Sequence, residues 1–355
     1  MAGVLLAFLC ALALALAVTP VAAWAARRLG ILDMPAPRKL HRMPTPLLGG
    51  VAVYFAFSAA TLLWARPVND LHVVLLLGGA AAFALIGIVD DVRGVGAAKL
   101  AVETGVVVLI VWLGDFRLGL PWPYAGYLLA AGWIVGVANA LNCLDCADGT
   151  ASGTTAVSAA ALALFAILEQ RWAVATTAAA LAGASLGFLH YNFPPARIFL
   201  GDSGSLMLGF LLAALSAAMA ISLESTWELV ALGVILALPA WDFLLVHWRR
   251  YRSGLRNPVQ IMVSTGKDHL PHRLLSSGMR PGEVVLRVCG LSAVLGTTGI
   301  GMALWGVVGA AVFGAILGGV GVVLNSARTE HVGSNGPRRA QEEQPGSSLG
   351  GARGI

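Results

Sequence analysis

Long apolar segments, separated by short polar ones, dominate this chain. Eleven runs of roughly 20 residues are almost free of charged side chains, and this is the length that an α-helix needs to cross the hydrocarbon core of a bilayer. The predicted runs are 3–26, 48–65, 71–89, 99–114, 124–141, 151–168, 172–190, 203–222, 227–248, 283–303 and 305–324. The pattern therefore predicts an all-α, polytopic integral membrane protein with about eleven transmembrane helices.

The composition agrees with this pattern. Hydrophobic residues make up 58% and charged residues 12% of the 355 residues, whereas soluble domains carry about 25% charge. The first run lacks the basic start of a secretory signal peptide and is longer than its apolar core, so we expect it to be the first transmembrane helix. We predict a transmembrane domain over 1–325 and a disordered cytoplasmic tail over 326–355, which is rich in Gly, Ser, Arg, Glu and Pro.

The loops between the runs differ in charge. Of the 23 Lys and Arg residues, 20 fall on one set of loops and on the tail, and only Arg66, Arg117 and Arg171 fall on the other set. Because positively charged loops stay on the cytoplasmic side, we expect the N-terminus outside, the C-terminus in the cytoplasm and an odd number of spans.

The polar residues that interrupt the apolar pattern fall on the predicted cytoplasmic side. They end or follow the third, fifth, seventh and ninth runs: Asp90, Asp91, Asn139, Asn142, Asp145, Asp148, Asn192, Arg197, Asp202, Asp268, His269, His272 and Arg273. Ionisable groups set against a membrane are costly and mark functional sites by default. Four loops that are distant in sequence thus deliver acids, amides and cations to one surface, and we predict a cytoplasmic active-site cleft there.

Two of these loops suit the binding of a divalent metal, although each has a structural alternative. Adjacent Asp90 and Asp91 repel each other, which a metal or Lys99 would relieve; alternatively they are solvated acids that end a span, while Lys99 reaches the lipid headgroups. In NALNCLDCADGTASG, oxygen ligands recur at every third residue and suit Mg²⁺, or they cap a polar loop. The single CLDC pair lacks the second pair that a structural zinc site needs.

Asp202 lies in GDSGS, which resembles the signature of trypsin-like serine proteases. Those proteases are β-barrels, and no alternating strand pattern surrounds this segment, so we reject that interpretation. Asp202 is then either a metal ligand or, with Ser203, the N-cap of the next helix.

Two basic loops have open interpretations as well. In KDHLPHRLL, His269 and His272 lack a third strong zinc ligand nearby, so together with Arg273 they favour phosphate binding over attraction of a basic loop to anionic lipid. The loop LDMPAPRKLHRMPTPLLGG either holds lipid headgroups, closes over the site, or serves as a positive-inside anchor.

Five blocks in this order resemble the polyprenyl-phosphate N-acetylhexosamine-1-phosphate transferase family. They are PAPRKLHRMPTPLLGG, GIVDDVRGVGAAKL, NALNCLDCADGTASG, GFLHYNFPPARIFLGDSGS and KDHLPHRLL, between residues 27 and 280. The resemblance implies a multi-pass enzyme of the bacterial cytoplasmic membrane that moves a sugar-1-phosphate, first of all N-acetylglucosamine-1-phosphate, from a UDP-sugar to polyprenyl phosphate and releases UMP. It implies Mg²⁺ as the cofactor, with Mn²⁺ as a substitute; it implies no nucleic acid partner and leaves a homodimer open.

Several positions depart from the family pattern. Cys146 replaces a Gly, Thr150 a Leu, Glu103 a Gln and Pro271 a His. The histidine run of the muramoyl-pentapeptide branch is missing, which disfavours a UDP-N-acetylmuramoyl-pentapeptide phosphotransferase but keeps it as the alternative. A lipid or solute transporter is the alternative of another class; it would place ionisable groups near the bilayer midplane, whereas here they lie at the ends of the runs.

With this resemblance, individual residues receive expected roles. Asp90, Asp91 and Asp202 form the catalytic set, in which Asp202 and Asn142 hold Mg²⁺ and one of the adjacent acids deprotonates or orients the lipid phosphate. The substrate-binding set is Lys99, Asn139, Asp145, Asp148, Asn192, Arg197, His269, His272 and Arg273. Within it, Lys99, Arg273 and the histidines neutralise phosphate oxygens, and Asp148 and Asn192 face the uridine. The lipid phosphate attacks the β-phosphorus in line, or a carboxylate attacks first in a two-step route.

Overall fold

The computed structural model describes residues 1–35, 43–65, 71–117, 122–221, 223, 225–257, 260, 266 and 268–333. Within these ranges the chain forms twelve helices and one pair of short antiparallel strands. The helices are α1 (Ala2–Leu29), α2 (Gly49–Trp64), α3 (Leu71–Arg93), α4 (Ala98–Leu113), α5 (Pro123–Leu144), α6 (Thr150–Leu168), α7 (Trp172–Asn192), α8 (Gly201–Ala220), α9 (Thr226–Ile235), α10 (Ala237–Arg252), α11 (Leu270–Ser276) and α12 (Pro281–Gly333). The strands are β1 (Leu32–Asp33) and β2 (Thr45–Pro46).

Every predicted apolar run coincides with helix, so the all-α, polytopic fold class is confirmed. In the described ranges seven helices are long and apolar enough to cross a membrane, or eight if α9 and α10 together count as one span. The predicted total of eleven exceeds this number because α2 and α4 have only 16 residues each and because the last two predicted runs form a single helix, α12.

The predicted run 227–248 is two helices, α9 and α10, which meet at an angle of 71°. The break falls at Leu236, three residues before Pro239. A proline ring clashes with the carbonyl of the fourth residue before it and offers no backbone N–H, so a continuous helix through Ile235 is excluded. In the first turn of a new helix the same proline is tolerated, because that N–H would have no partner there.

The two last predicted runs form one helix, α12, that is interrupted at Gly306. The Gly306 backbone has φ 55° and ψ −128°, a conformation that is open to glycine alone. The helix continues to Gly333, inside the segment 326–355 for which we predict disorder, and residues 334–355 lie outside the described ranges. Residues Met1–Ala310 form one compact unit, and residues from Ala311 group apart from it.

Helix α8 forms the centre of the compact unit. Nearly all its side chains are buried, and it packs against α2, α3, α5 and α6. The ring of Phe210 stacks on Phe83 of α3 at 4.7 Å between centroids. A Cβ atom on Gly209 would lie 2.6 Å from the Cα atom of Ala138 in α5. Small residues thus let the helices approach closely, as is usual in membrane bundles.

The chain connections on one side of the bundle pack together, and we call this side the site end. Helices α3, α5 and α7 end there, and α4, α6 and α8 begin there. The segment after β2 is joined to the start of α8, because Gly49 and Gly50 donate backbone hydrogen bonds to Phe199 and Leu200 at 3.1 and 3.0 Å. Residues 36–42 of the basic loop, to which we assigned headgroup binding or closure, lie outside the described residues.

Candidate active site

At the site end, one ammonium group joins two carboxylates from different helices. The Lys99 Nζ atom lies 2.7 Å from Asp90 Oδ2 and 3.1 Å from Asp202 Oδ2. The turn between α3 and α4 places Lys99 there, since Gly94 and Gly96 have positive φ and the Gly96 N–H donates to Asp90 Oδ1. The structure thus brings together residues 112 positions apart that we had assigned to one site.

Asp202 faces the site rather than capping its own helix. Its Oδ1 atom accepts a hydrogen bond from Asn142 Nδ2 at 3.1 Å, and the same Nδ2 donates to Ser205 Oγ at 2.9 Å. The N-cap residue of α8 is Leu200, which makes no side-chain cap. Of the two interpretations of Asp202, the geometry favours the one that leaves its carboxylate for ligands.

The cap of α8 comes instead from Asp91 on α3. Its carboxylate accepts from the backbone N–H groups of Asp202 at 3.0 Å and Ser203 at 3.3 Å. Carboxylates at a helix N-terminus are stabilising because the first N–H groups have no partner within the helix. Gly201 makes this approach feasible: its φ is +71°, and a Cβ there would lie 2.7 Å from Asp91 Oδ2. Asp90 and Asp91 therefore have different surroundings.

Asp145 lies just after α5, and its side chain makes no hydrogen bond to any residue that the structure describes. Burial raises the pKa of Asp145 well above its ordinary value, and the negative charges of Asp202, Asp91 and Asp148 raise it further. Such a group gains from the arrival of a cation.

The next acid, Asp148, holds the loop that follows α7. Its Oδ2 atom accepts from the Ala196 backbone N–H at 2.9 Å, within the segment that contains the cis Pro194–Pro195 peptide bond. Arg197 in the same loop is exposed. The turn after α5 and the loop after α7 thus bring one acid and one cation to the site end.

Asn192 is 2% exposed, and its amide is occupied within the protein. The Oδ1 atom accepts from Gly149 N–H at 3.0 Å and from Ser152 Oγ at 2.9 Å, and Nδ2 donates to the Ile198 carbonyl at 3.0 Å. These contacts join the start of α6 to the loop before α8. The side chain that we expected to face uridine therefore lies behind the loop.

Asn139 also lies away from the open site. It is 8% exposed, and its Nδ2 atom donates to Glu103 Oε2 at 2.6 Å. Glu103, the position where the family pattern has Gln, is fully buried, and its Oε1 atom has no hydrogen-bond partner among the residues that the structure describes. The pair lies about one helical turn from Lys99 on α4 and from Asn142 on α5, so it links the two helices beneath the site.

His269 is held by an acid that our sequence reasoning missed. Its Nδ1 atom lies 2.7 Å from Asp242 Oδ2, and the Leu270 N–H donates to Asp242 Oδ1, also at 2.7 Å. Asp242 is 3% exposed. A signal was available, since it is the single acid between Glu228 and Asp268 and lies within a predicted apolar run, and acids inside membrane segments mark function by default.

A second ion pair fixes the residue before His269. Arg250 Nε and Nη2 donate to the two carboxylate oxygens of Asp268 at 2.9 and 2.8 Å. Burial alone would raise the pKa of Asp268, but the hydrogen bonds and charge of Arg250 outweigh it and lower that pKa. Arg250 is 8% exposed, and we had counted it only as one of the positive charges of its loop.

Helix α11 brings His272 and Arg273 beside the turn between α5 and α6. The backbone N–H of His272 donates to the thiol of Cys146. Burial and the charges of Asp242 and Asp145 raise the pKa of that thiol, so Cys146 is a neutral neighbour of both acids. Arg273 is exposed.

A cavity of about 500 Å³ opens at the site end. It is lined by residues of the 43–45 segment, of the turn between α5 and α6, of the loop after α7, and of α11 and the start of α12: Met43, Thr45, Ala147, Asp148, Pro194, Pro195, Ala196, Phe199, Leu275, Pro281, Gly282 and Val284. It is largely apolar, with Asp148 as the one ionisable residue among the described lining residues, and its size suits a small organic group.

The donor set at this end fits Mg²⁺ better than a metal that needs several protein ligands. Among the described residues, no group of three His, Cys, Asp or Glu side chains is placed to chelate an ion by itself. Mg²⁺ keeps several waters and takes one or two carboxylates beside substrate phosphates. Asp202, whose side chain is 37% exposed, and the unpartnered Asp145 provide such oxygens, and the Asn142 amide adds a neutral one.

Fold and site together define a polytopic membrane enzyme with an acidic, lysine-bridged centre at one end of its helix bundle. Residues 73–220, which hold α3 to α8, match the model of glycosyl transferase family 4. The chain belongs to the polyprenyl-phosphate N-acetylhexosamine-1-phosphate transferases of that family.

Three relatives illustrate the similarity. The chain is 30% identical over 291 residues to the probable undecaprenyl-phosphate N-acetylglucosaminyl 1-phosphate transferase of Bacillus subtilis, covering 79% of each chain. It is 32% identical to the decaprenyl-phosphate N-acetylglucosaminephosphotransferase of Mycolicibacterium smegmatis, with 74% of this chain and 72% of the relative covered. It is 33% identical to the phospho-N-acetylmuramoyl-pentapeptide-transferase of Bacillus mycoides, with 53% and 64% covered.

Proposed function

We propose that this protein transfers N-acetylglucosamine-1-phosphate from UDP-N-acetylglucosamine to a polyprenyl phosphate, with Mg²⁺, and releases UMP. The observation that carries the proposal is the placement of Lys99 between Asp90 and Asp202, beside Asn142 and Asp145, at one end of a membrane helix bundle. One cation among several carboxylates is an arrangement that can accept a diphosphate together with a divalent ion.

The preference for N-acetylglucosamine is supported by two comparisons. The relatives from Bacillus subtilis and Mycolicibacterium smegmatis are named for that sugar, and each aligns with more than 70% of this chain. A muramoyl-pentapeptide-transferase of Bacillus anthracis also matches 74% of this chain, but at a lower identity of 28%, and this chain lacks the histidine run of the pentapeptide branch. We therefore keep the pentapeptide transferase as the alternative that the experiment must separate.

The proposed reaction is an in-line displacement. An oxygen of the polyprenyl phosphate forms a bond to the β-phosphorus, the bond from that phosphorus to the bridging oxygen breaks, and the electron pair leaves with UMP. Positioning and charge neutralisation supply most of the catalysis in phosphoryl transfer. Mg²⁺, held by Asp202 with Asn142 and Asp145, would supply positive charge at the diphosphate.

The protein residues divide the remaining work. Lys99, Arg273 and the histidines neutralise phosphate oxygens, and Asp90, paired with Lys99, orients the lipid phosphate. Asp91 acts by holding the start of α8, and thus Asp202, in place. A first attack by a carboxylate stays the rival route, which a covalent phospho-enzyme trapped before the steady state would establish.

The uridine is proposed to occupy the cavity between the loop after α7 and α11. Asp148 provides an acceptor for the N–H groups of a base, and Phe199 provides a ring for stacking. Asn192 contributes by fixing the loop, and Asn139 by pairing with Glu103. Arg197 lies at the exposed edge of the same loop, where it can meet an anion.

The site end is proposed to face the cytoplasm of a bacterial cell, with the N-terminus outside. The distribution of 20 of 23 cations on that side supports the orientation. A nucleotide sugar and a lipid phosphate can meet there. A homodimer stays a prediction.

The test is UMP release by the purified protein in nanodiscs, with undecaprenyl phosphate and either UDP-N-acetylglucosamine or UDP-N-acetylmuramoyl-pentapeptide. We expect release with the first sugar nucleotide only, its loss in EDTA, and its recovery with Mg²⁺. Asp202→Asn and Asp202→Ala should each lower the rate at least about 100-fold. Asp115→Asn, at the opposite end of the bundle, is the matched control and should keep the rate.

The outcomes separate the alternatives. Release with the pentapeptide substrate only would replace the proposed sugar. No UMP release with either sugar nucleotide would contradict the transferase activity. Release that persists in EDTA would contradict the metal requirement. Asp202 variants with rates within a few-fold of the wild type would show that Asp202 is not part of the reaction centre.

A further inference from the structure

Helix α10 carries a buried polar stripe that the proposed reaction has not used. Asp242, Val246 and Arg250 recur at every fourth residue and are buried, while the neighbouring Trp241 and Leu244 are exposed. A buried carboxylate or guanidinium costs several kcal/mol unless it is paired. The burial of both Asp242 and Arg250 on one face of α10 therefore requires an explanation.

Both charged members of the stripe contact the same short segment. Arg250 binds Asp268 through two hydrogen bonds, and Asp242 binds His269 and the backbone N–H of Leu270. Three consecutive residues are thus fixed to α10, and α11 begins at the third of them. The placement of His269 is determined by α10 rather than by its own loop.

The contact with Asp242 also determines which ring nitrogen of His269 carries a proton. An ionised carboxylate only accepts hydrogen bonds, and Asp242 already accepts one from Leu270. With Asp242 ionised, the Nδ1 atom at 2.7 Å donates, and Nε2 is the ring nitrogen that points away from Asp242. Carboxylates that orient a histidine in this way fix its tautomer in hydrolases and in metal sites.

The oriented ring lies beside the proposed reaction centre. Helix α11 contributes Leu275 to the cavity that Asp148 and Phe199 also line. The backbone of His272, one turn after His269, contacts Cys146 in the turn that carries Asp145 and Asp148. Helix α11, which begins directly after His269, therefore packs against the turn that carries these acids, and both Asp242 and Asp145 act on the Cys146 thiol.

We propose that Asp242 is a positioning residue of the transferase, which holds His269 with Nδ1 protonated so that Nε2 faces the phosphate groups of the substrates. The inference rests on the proposed function for its kinetic part. Asp242 touches no substrate and acts only through His269.

A double-mutant cycle on kcat/KM for UMP release tests this. Asp242→Asn keeps the size of the side chain but replaces one of its two acceptor oxygens by a donor NH₂ group. The Leu270 N–H always donates and therefore takes the remaining oxygen. The NH₂ group then faces His269 Nδ1, which has to accept, so the proton of the neutral ring moves to Nε2. We expect a loss of about 10–100-fold, and no further loss beyond about threefold when Asp242→Asn is added to His269→Gln. The proposal would be overturned if the losses in kcat/KM of the two single variants multiply in the double variant. It would also be overturned if kcat/KM of Asp242→Asn stays within twofold of the wild type.

The proton position is measured independently by ¹⁵N NMR of histidine-labelled protein, with His269→Gln to assign the signal. We expect a protonated Nδ1 in the wild type and an unprotonated one in Asp242→Asn. Trp241→Phe, beside Asp242 but 65% exposed, is the matched control and should change neither the spectrum nor the rate.

The spectrum keeps the two proposals apart. An unprotonated Nδ1 in the wild type overturns the role of Asp242 even if Asp242→Asn does not fold. A wild type that releases no UMP but has the expected spectrum instead contradicts the proposed function, while the orientation of His269 by Asp242 stands.

Discussion

At the level of single residues, neighbours in sequence have separate tasks. Asp90 pairs with Lys99, whereas the adjacent Asp91 accepts two backbone N–H groups at the start of α8. Consecutive side chains on a helix point about 100° apart, so two elements can each take one carboxylate. The sequence predicted that both acids belong to a site, and it could not say that one of them would act as a helix cap.

Asp145 is the residue for which activity and stability should conflict. Its raised pKa means that the folded state binds a proton more tightly than the unfolded chain, whose pKa is near 3.8. Stability is then lost as the pH rises above 3.8 toward the folded pKa. Asp145→Asn removes this penalty, so we expect a higher unfolding temperature in EDTA, with a larger gain at pH 8 than at pH 5.

The measurement is thermal unfolding in detergent at both pH values, together with UMP release. Asp145→Asn should lower the rate by at least tenfold, since it removes a carboxylate that we propose to bind Mg²⁺. Asp115→Asn, whose carboxylate is 59% exposed, should show no gain that depends on pH in this way. Equal gains at pH 5 and pH 8 would contradict the electrostatic cause.

At the level of elements, the site depends on how closely α3 and α8 approach. A Cβ atom on Gly87 would overlap with the backbone of Asp202 and Ser203. This contact lies three and four residues before Asp90 and Asp91, so the two helix ends that carry the acids are held by one small residue. Close approach of this kind is what glycine provides in membrane helices.

Gly87→Ala should therefore displace Asp202. We expect a destabilisation of about 1–3 kcal/mol and a loss of at least tenfold in UMP release. Gly78→Ala lies on the same helix with no atom within 4 Å of the new Cβ, and it should be neutral or slightly stabilising because alanine favours helix.

Both glycine variants are compared by thermal unfolding and by the rate of UMP release. If Gly87→Ala behaves like Gly78→Ala in both measurements, the approach of α3 to α8 does not determine the position of Asp202.

At the level of the whole molecule, the orientation in the membrane is a prediction that rests on the distribution of positive charges among the loops. Arg93 lies at the site end, and Arg171 lies in the turn between α6 and α7 at the opposite end. Both are exposed. If the site end is cytoplasmic, only the opposite end can be reached from outside an intact cell.

The orientation is tested with single cysteines in a variant that has the four native cysteines replaced by alanine. We expect Arg171→Cys to react with a membrane-impermeant maleimide on intact cells, and Arg93→Cys to react only after the cells are opened. The reverse pattern would invert the proposed topology and place the site outside.

The sequence by itself determined the all-α class, the order of the long apolar segments and the loops that hold the chemistry. Apolar run length and loop charge are local properties, and a membrane helix satisfies its backbone hydrogen bonds within one segment. The family also followed from short ordered blocks, and the comparisons confirmed it.

The tertiary structure decided which hydrogen-bond partner each polar residue of the site has. That Asn192 is enclosed behind the loop after α7, that Asn139 pairs with Glu103, and that Asp242 holds His269 depend on which helices pack together. Such contacts join residues far apart in the chain, and one sequence offers many acids that could take each role. Packing selects among them because each buried polar group must find a partner in the folded bundle.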